Sequence, residues 1–101
     1  MIIKLSGNLK KVFPSVIFGS FEKRYIWLEE VSEKYPNTFQ LELWQADCNM
    51  IDNYKEGDYI SCYIDIKGKQ FTKRDGDEGV INTLKCWNIE KDGKTFKEIK
   101  N

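Results

Sequence analysis

Apolar and polar residues alternate along most of this chain, and the alternation is interrupted at short intervals by proline, glycine and asparagine. Period-two alternation puts successive side chains on opposite faces of a strand, so each such run predicts a strand with one buried face. From Phe21, the run FEKRYIWL sets Phe21, Lys23, Tyr25 and Trp27 on one side and Arg24, Ile26 and Leu28 on the other. After the break SEKYPN, Ser32 to Asn37, a second run puts Phe39, Leu41 and Leu43 on one side and Gln40, Glu42 and Trp44 on the other. The break has hairpin composition, so these two strands are expected to be neighbours. If both aliphatic rows face one interior, Tyr25, Trp27 and Trp44 are left outside, beside Lys23.

The remaining elements are read in chain order. Ile2 to Val12 alternates imperfectly around Gly7, which fits a bulge or a sharp bend in a strand that curls. Phe13 to Ser20 holds Pro14, Ser15, Gly19 and Ser20 and is expected to be a loop, within which Val16 to Phe18 extends a strand or caps the core. Asp47 is placed to cap a helix of one or two turns reaching Tyr54, with Met50 and Ile51 available to plug an open barrel end. Past the turn YKEGD, Tyr59 to Lys67 alternates most regularly, with Ile60, Cys62, Ile64 and Ile66 in one row and Tyr59, Ser61, Tyr63, Asp65 and Lys67 in the other. The polar stretch Gly68 to Gly79 has the composition of a mobile loop or a long hairpin tip. In the last strand, Val80 to Ile89, core residues come from Leu84 and Cys86 or from Ile81, Trp87 and Ile89, and a bulge would admit both sets. Residues 1–93 are expected to form the domain and 94–101 a polar tail.

Length and composition narrow the function. A chain of 101 residues supports one domain with one core. Its 16 basic and 16 acidic residues cancel, which argues against a binder that works by bulk charge but permits a local basic patch. With no histidine, and with Cys48, Cys62 and Cys86 lacking CxxC spacing, no zinc site is expected and the cysteines are read as reduced thiols. No apolar run approaches the roughly 18 residues that span a bilayer, and a leader pattern is missing, so a cytoplasmic protein without membrane or cofactor is expected. Catalysis has little to stand on: the glycines at 76 and 79 are not followed by the lysine and hydroxyl residue of a phosphate loop, and no carboxylate pair is singled out by its spacing.

Flat rings beside a cation are what a splayed nucleobase and its phosphate require. Lys23, Tyr25, Trp27 and Trp44 are therefore the candidate site. Five strands with one short helix between the third and fourth follow the order of an OB-fold, a curled all-β barrel, although an SH3-like barrel or an open sheet fits the same alternation.

The segments GSFEKRYIWLEE, KYPNTFQLELWQAD, YKEGDYISCYIDIKGKQF and LKCWNIEKDG resemble, in that order, a family of short single-domain bacterial and phage proteins with an OB-fold, akin to single-stranded DNA-binding proteins. Its recognisable points are Tyr35 with Pro36, the step Leu43, Trp44 and Asp47, and Gly57 with Asp58. The resemblance implies a strand of DNA, with RNA chemically compatible, crossing the middle strands while the last long loop adds Lys69, Phe71, Lys73 and Arg74. A further reading keeps both strand binding and self-association, with a homodimer or tetramer placing several sites along one strand. This chain departs from the family pattern at Asp75, Gly76, Asp77 and Glu78, where an arginine and aromatic cluster is usual. Two plainer roles stand beside this one. Trp27 and Trp44 can pack under a loop or in a dimer interface, and the whole domain can serve as a protein-interaction or oligomerisation module without nucleic acid.

Overall fold

The computed structural model describes residues 1–31 and 34–91. The expected tail, and part of the SEKYPN connection, lie outside those residues. Among the described residues there are six strands: β1 (Ile2–Val12), β2 (Val16–Phe18), β3 (Phe21–Glu30), β4 (Asn37–Trp44), β5 (Tyr59–Thr72) and β6 (Glu78–Lys91). A 3-10 helix, Gln45–Asn53, joins β4 to β5. The sheet runs β1-β5-β6-β4-β3-β2 and closes because β1 also pairs with β3. All pairings are antiparallel except the contact between β4 and β6, where Glu42 lies opposite Lys85. β2 is a short edge strand outside the ring, so the barrel itself has five strands and its helix follows the third of them. This is the all-β OB-fold order expected from the alternation.

Closure depends on the curl of β1. Its first half, Ile2 to Asn8, pairs with β5, and its second half, Asn8 to Val12, pairs with β3. The bend needs glycine at position 7, where an added Cβ would lie 2.2 Å from the Glu29 carbonyl oxygen. Of the bulge or bend expected at Gly7 it is the bend that forms, and a separate bulge falls between Leu9 and Lys11, making Lys10 the extra residue.

Inside the ring, Ile26 and Leu28 of β3, Leu41 and Leu43 of β4, and Ile60, Cys62 and Ile64 of β5 are buried, as their alternation requires. Cys48 and Ile51 close one end from the 3-10 helix, with Met50 packed partly against them. That helix is longer than expected and starts earlier. Asp47 lies in its first turn, and Trp44 at its cap makes no side-chain bond to it. The chain instead enters through Gln45, whose φ of 53° is left-handed and whose side-chain oxygen accepts the Glu22 backbone N–H at 3.1 Å.

Arg24 anchors the helix from β3. Its guanidinium donates to the Phe13 carbonyl (2.7 Å), the Cys48 carbonyl (3.2 Å) and Asp52 Oδ1 (2.9 Å). Because the Arg24 side chain is only 16% exposed, Arg24→Ala is expected to cost about 2 kcal/mol. Urea denaturation with a lowered midpoint and unchanged slope would register it. Asp52→Asn should cost much less, since Asp52 is 60% exposed.

The parity question in the last strand resolves through a bulge. Tyr63 faces Asn88 while Ile64 faces Cys86, so Trp87 is the extra residue. Cys86 and Ile89 are buried and Leu84 packs beside them, whereas Ile81 and Trp87 point outward. Most of the stretch read as a polar connection is ladder. From Lys67 opposite Thr83 to Thr72 opposite Glu78 the two strands continue as a hairpin arm with no buried side chain, and only Lys73 to Asp77 form the turn. Among the described residues, no helix is long and apolar enough to cross a membrane.

Candidate nucleic-acid interface

The outer face of β3 and β4 follows from register. Lys23 lies opposite Trp44, Tyr25 opposite Glu42 and Trp27 opposite Gln40, so these six side chains share the side away from the core. All but the exposed Gln40 are half-buried, and each indole is propped by a second ring. Phe21 meets Trp44 edge-on with centroids 5.4 Å apart, and Phe13 meets Trp27 edge-on at 5.2 Å. Such pairs hold large rings at a defined angle and add about 0.5–1.5 kcal/mol beyond burial.

A lysine attends each pair. Lys11 Nζ lies 5.0 Å from the Phe13 centroid and 5.4 Å from that of Trp27, while Lys85 Nζ lies 4.9 Å from that of Trp44. Lys23 sits 5.8 Å from the Phe18 ring. Both indole N–H groups are satisfied: Trp27 donates to Gln40 Oε1 and Trp44 to Glu42 Oε1, each at 2.9 Å. Glu42 Oε1 also pairs with Lys23 Nζ at 3.3 Å. The result is two stations along β3, each an aromatic pair with ammonium groups, with Tyr25 between them. At about 3.3 Å per residue, Lys23 and Trp27 are roughly 13 Å apart.

Lys69 and Phe71 are on the arm, in the same outward row of β5 as Asp65. Phe71 lies directly over Gly79, where a Cβ would meet the ring at 2.6 Å. Asp65 bonds to Lys67 at 3.2 Å, which holds its carboxyl below the usual range. Lys73 and Arg74 are in the arm's turn and are not brought to the sheet aromatics. The turn is closed by its own backbone: Lys73 N–H donates to the Asp77 carbonyl at 2.6 Å, Asp77 N–H to Asp75 Oδ1 at 3.0 Å, and Gly76 takes the positive φ of 91°.

Four residues absent from the candidate set complete the stations: Lys11, Phe13, Phe21 and Lys85. Phe21 was visible in the alternation as a same-side neighbour. The others come from segments whose placement depends on barrel closure and bulges, and no local spacing marks them.

A third aromatic group lies on a different wall, formed by β1, β5 and β6. Trp87, 40% exposed, packs against Tyr63 with centroids 5.6 Å apart, and Lys4 Nζ is 5.7 Å from the Tyr63 ring. Tyr63 donates its hydroxyl to Glu90 at 3.1 Å. The three cysteines are buried and free. Hydrogen bonding with Cys86 and burial push the Cys62 thiol up, so it stays protonated.

The fold is similar to that of single-stranded DNA binding proteins of known structure. Rim1, the mitochondrial single-stranded DNA binding protein of S. cerevisiae, superposes with a TM-score of 0.68 at 14% identity, covering 89% of this chain and 92% of that one. The second single-stranded DNA binding protein, SSBb, of Mycobacterium smegmatis gives 0.61 at 13% identity, covering 90% and 87%. At these identities the likeness shows the fold alone, an OB-fold. The chain belongs to the family described as Domain of unknown function (DUF3127), whose model matches residues 4–90. No curated protein matches the sequence.

Proposed function

We propose that this protein binds single-stranded DNA without strong sequence preference, in support of replication or recombination in the cytoplasm, and that it acts by binding rather than catalysis. The observation that carries this reading is the pair of lysine-flanked indoles, Trp27 and Trp44, on one open sheet face. Stacking tolerates any base because every base has a π-face, and it contributes on the order of 1–3 kcal/mol per base. Lys11, Lys23 and Lys85 supply phosphate contacts beside the rings, and Lys69 and Phe71 add a cation and a ring from the outward row of β5 on the arm. Stacking thereby compensates for a net charge of zero. The likeness to Rim1 and SSBb supports the same reading.

Tryptophan emission tests it. Two stations roughly 13 Å apart along β3 require a ligand of about three nucleotides to engage both, taking the sheet rise of 3.3 Å per residue. Quenching by oligothymidylates should therefore deepen sharply between two and four nucleotides. Equal quenching by a dinucleotide and an octanucleotide would contradict the two-station site.

A second copy of this chain is the partner we propose for the wall carrying Trp87. Among the described residues, β1 has no neighbour on its second edge from Ile2 to Ser6, and Met1 and Ile2 are exposed there. The wall has charges of both signs, Lys4 against Asp65 and Glu90, as a surface facing its own copy needs. Trp87→Glu is expected to weaken self-association by about 30-fold or more, as loss of a central aromatic does. Sedimentation velocity decides: a wild-type dimer or tetramer converted to monomer agrees, and identical profiles for the two proteins do not.

A further inference from the structure

We infer that Glu42 is an internal anion seated where a strand phosphate binds, and that a ligand phosphate must displace it. The inference rests on the single-strand reading above and names what sets affinity and salt dependence at that site. Glu42 lies on the outer face of β4, between Tyr25 of β3 and Lys85 of β6. One carboxylate oxygen accepts the Trp44 indole N–H at 2.9 Å and the Lys23 ammonium at 3.3 Å, and the side chain is only 16% exposed. An ammonium and an N–H converging on one anionic oxygen are the contacts a phosphate oxygen takes. Lys85, 4.9 Å from the Trp44 centroid, adds a second cation beside this seat.

Holding the indole in place does not account for the charge. The other station provides the comparison: Trp27 donates its N–H to the neutral amide of Gln40 at the same 2.9 Å. Trp44 is moreover propped by Phe21 and placed by its register opposite Lys23. What Glu42 adds to the arrangement Gln40 already achieves is one negative charge, spent on Lys23. In the free protein that charge cancels the cation directly across the register from Trp44, the ring on which a base would stack. Single-strand binding must then exchange the carboxylate for a phosphate, which lowers affinity and hides one phosphate contact from the salt dependence.

Glu42→Gln keeps the acceptor for the indole N–H and removes the charge. Titration of a labelled oligothymidylate over a range of salt concentrations tests the exchange. Glu42→Gln should bind about 5- to 10-fold more tightly at low salt, with the slope of log K against log salt steeper by about 0.7, the increment for one phosphate contact on a single strand. Lys23→Gln should erase that gain in the Glu42→Gln background, returning the slope to the wild-type value. Unchanged or weaker binding by Glu42→Gln, with the wild-type slope, would overturn the inference while leaving single-strand binding intact. Failure of wild type and Glu42→Gln alike to bind at low salt would instead remove the single-strand reading, and the inference with it.

Discussion

Trp27→Ala and Trp44→Ala are each expected to weaken single-strand binding by about 5- to 150-fold, the equivalent of one stacked base at 1–3 kcal/mol. Both side chains lie outside the core rows, so circular dichroism should show the same strand content and the melting temperature should fall only modestly. Their losses will differ in character. Removing Trp44 leaves Glu42 and Lys23 paired and deprives Lys85 and Phe21 of their ring. Removing Trp27 leaves Phe13 and Lys11 facing each other, so part of that station survives. Trp44→Ala is therefore the more damaging of the two. Unfolding of both variants would make the indoles structural and dissolve the proposed interface.

The largest effect on stability is expected at Gly7. Alanine there drives a Cβ to 2.2 Å from the Glu29 carbonyl oxygen, and both partners are backbone, which has no rotamer to escape through. The cost should be about 3 kcal/mol or more. For a domain of this size that lowers the melting temperature by roughly 12 °C or more. Gly68→Ala is the matched control, since its nearest obstacle is the Asn82 side chain at 3.4 Å, an ordinary contact on the arm. Equal melting temperatures for the two variants would mean that β1 does not press on β3, and the barrel would not be closed as described.

The core was legible wherever one face of a strand is buried and the other is not. Ile26, Leu28, Leu41 and Leu43 follow a strict period of two, and the adjacency of β3 and β4 then places Trp27 and Trp44 together outside. Legibility failed where that contrast disappears. The arm from Lys67 to Thr83 has water on both faces, so its ladder carries no alternation and resembles a loop in composition. Trp87 is displaced by a bulge that shifts parity by one residue, and sequence spacing does not announce a bulge. Gln45 enters the 3-10 helix in a left-handed conformation that glutamine seldom adopts, and Asp47, the better cap by residue type, lies three positions past the cap residue Trp44. Lys11, Phe13 and Lys85 reach the indoles only through barrel closure, a long-range event.

The most direct test of the account is fluorescence anisotropy of a labelled single-stranded oligonucleotide titrated with this protein at low and moderate salt, beside a duplex of the same sequence. The account predicts saturable binding to the single strand, weaker binding to the duplex, and an affinity that falls with salt but persists through stacking. No rise in anisotropy with the single strand at low salt, or an equal rise with the duplex, would contradict it.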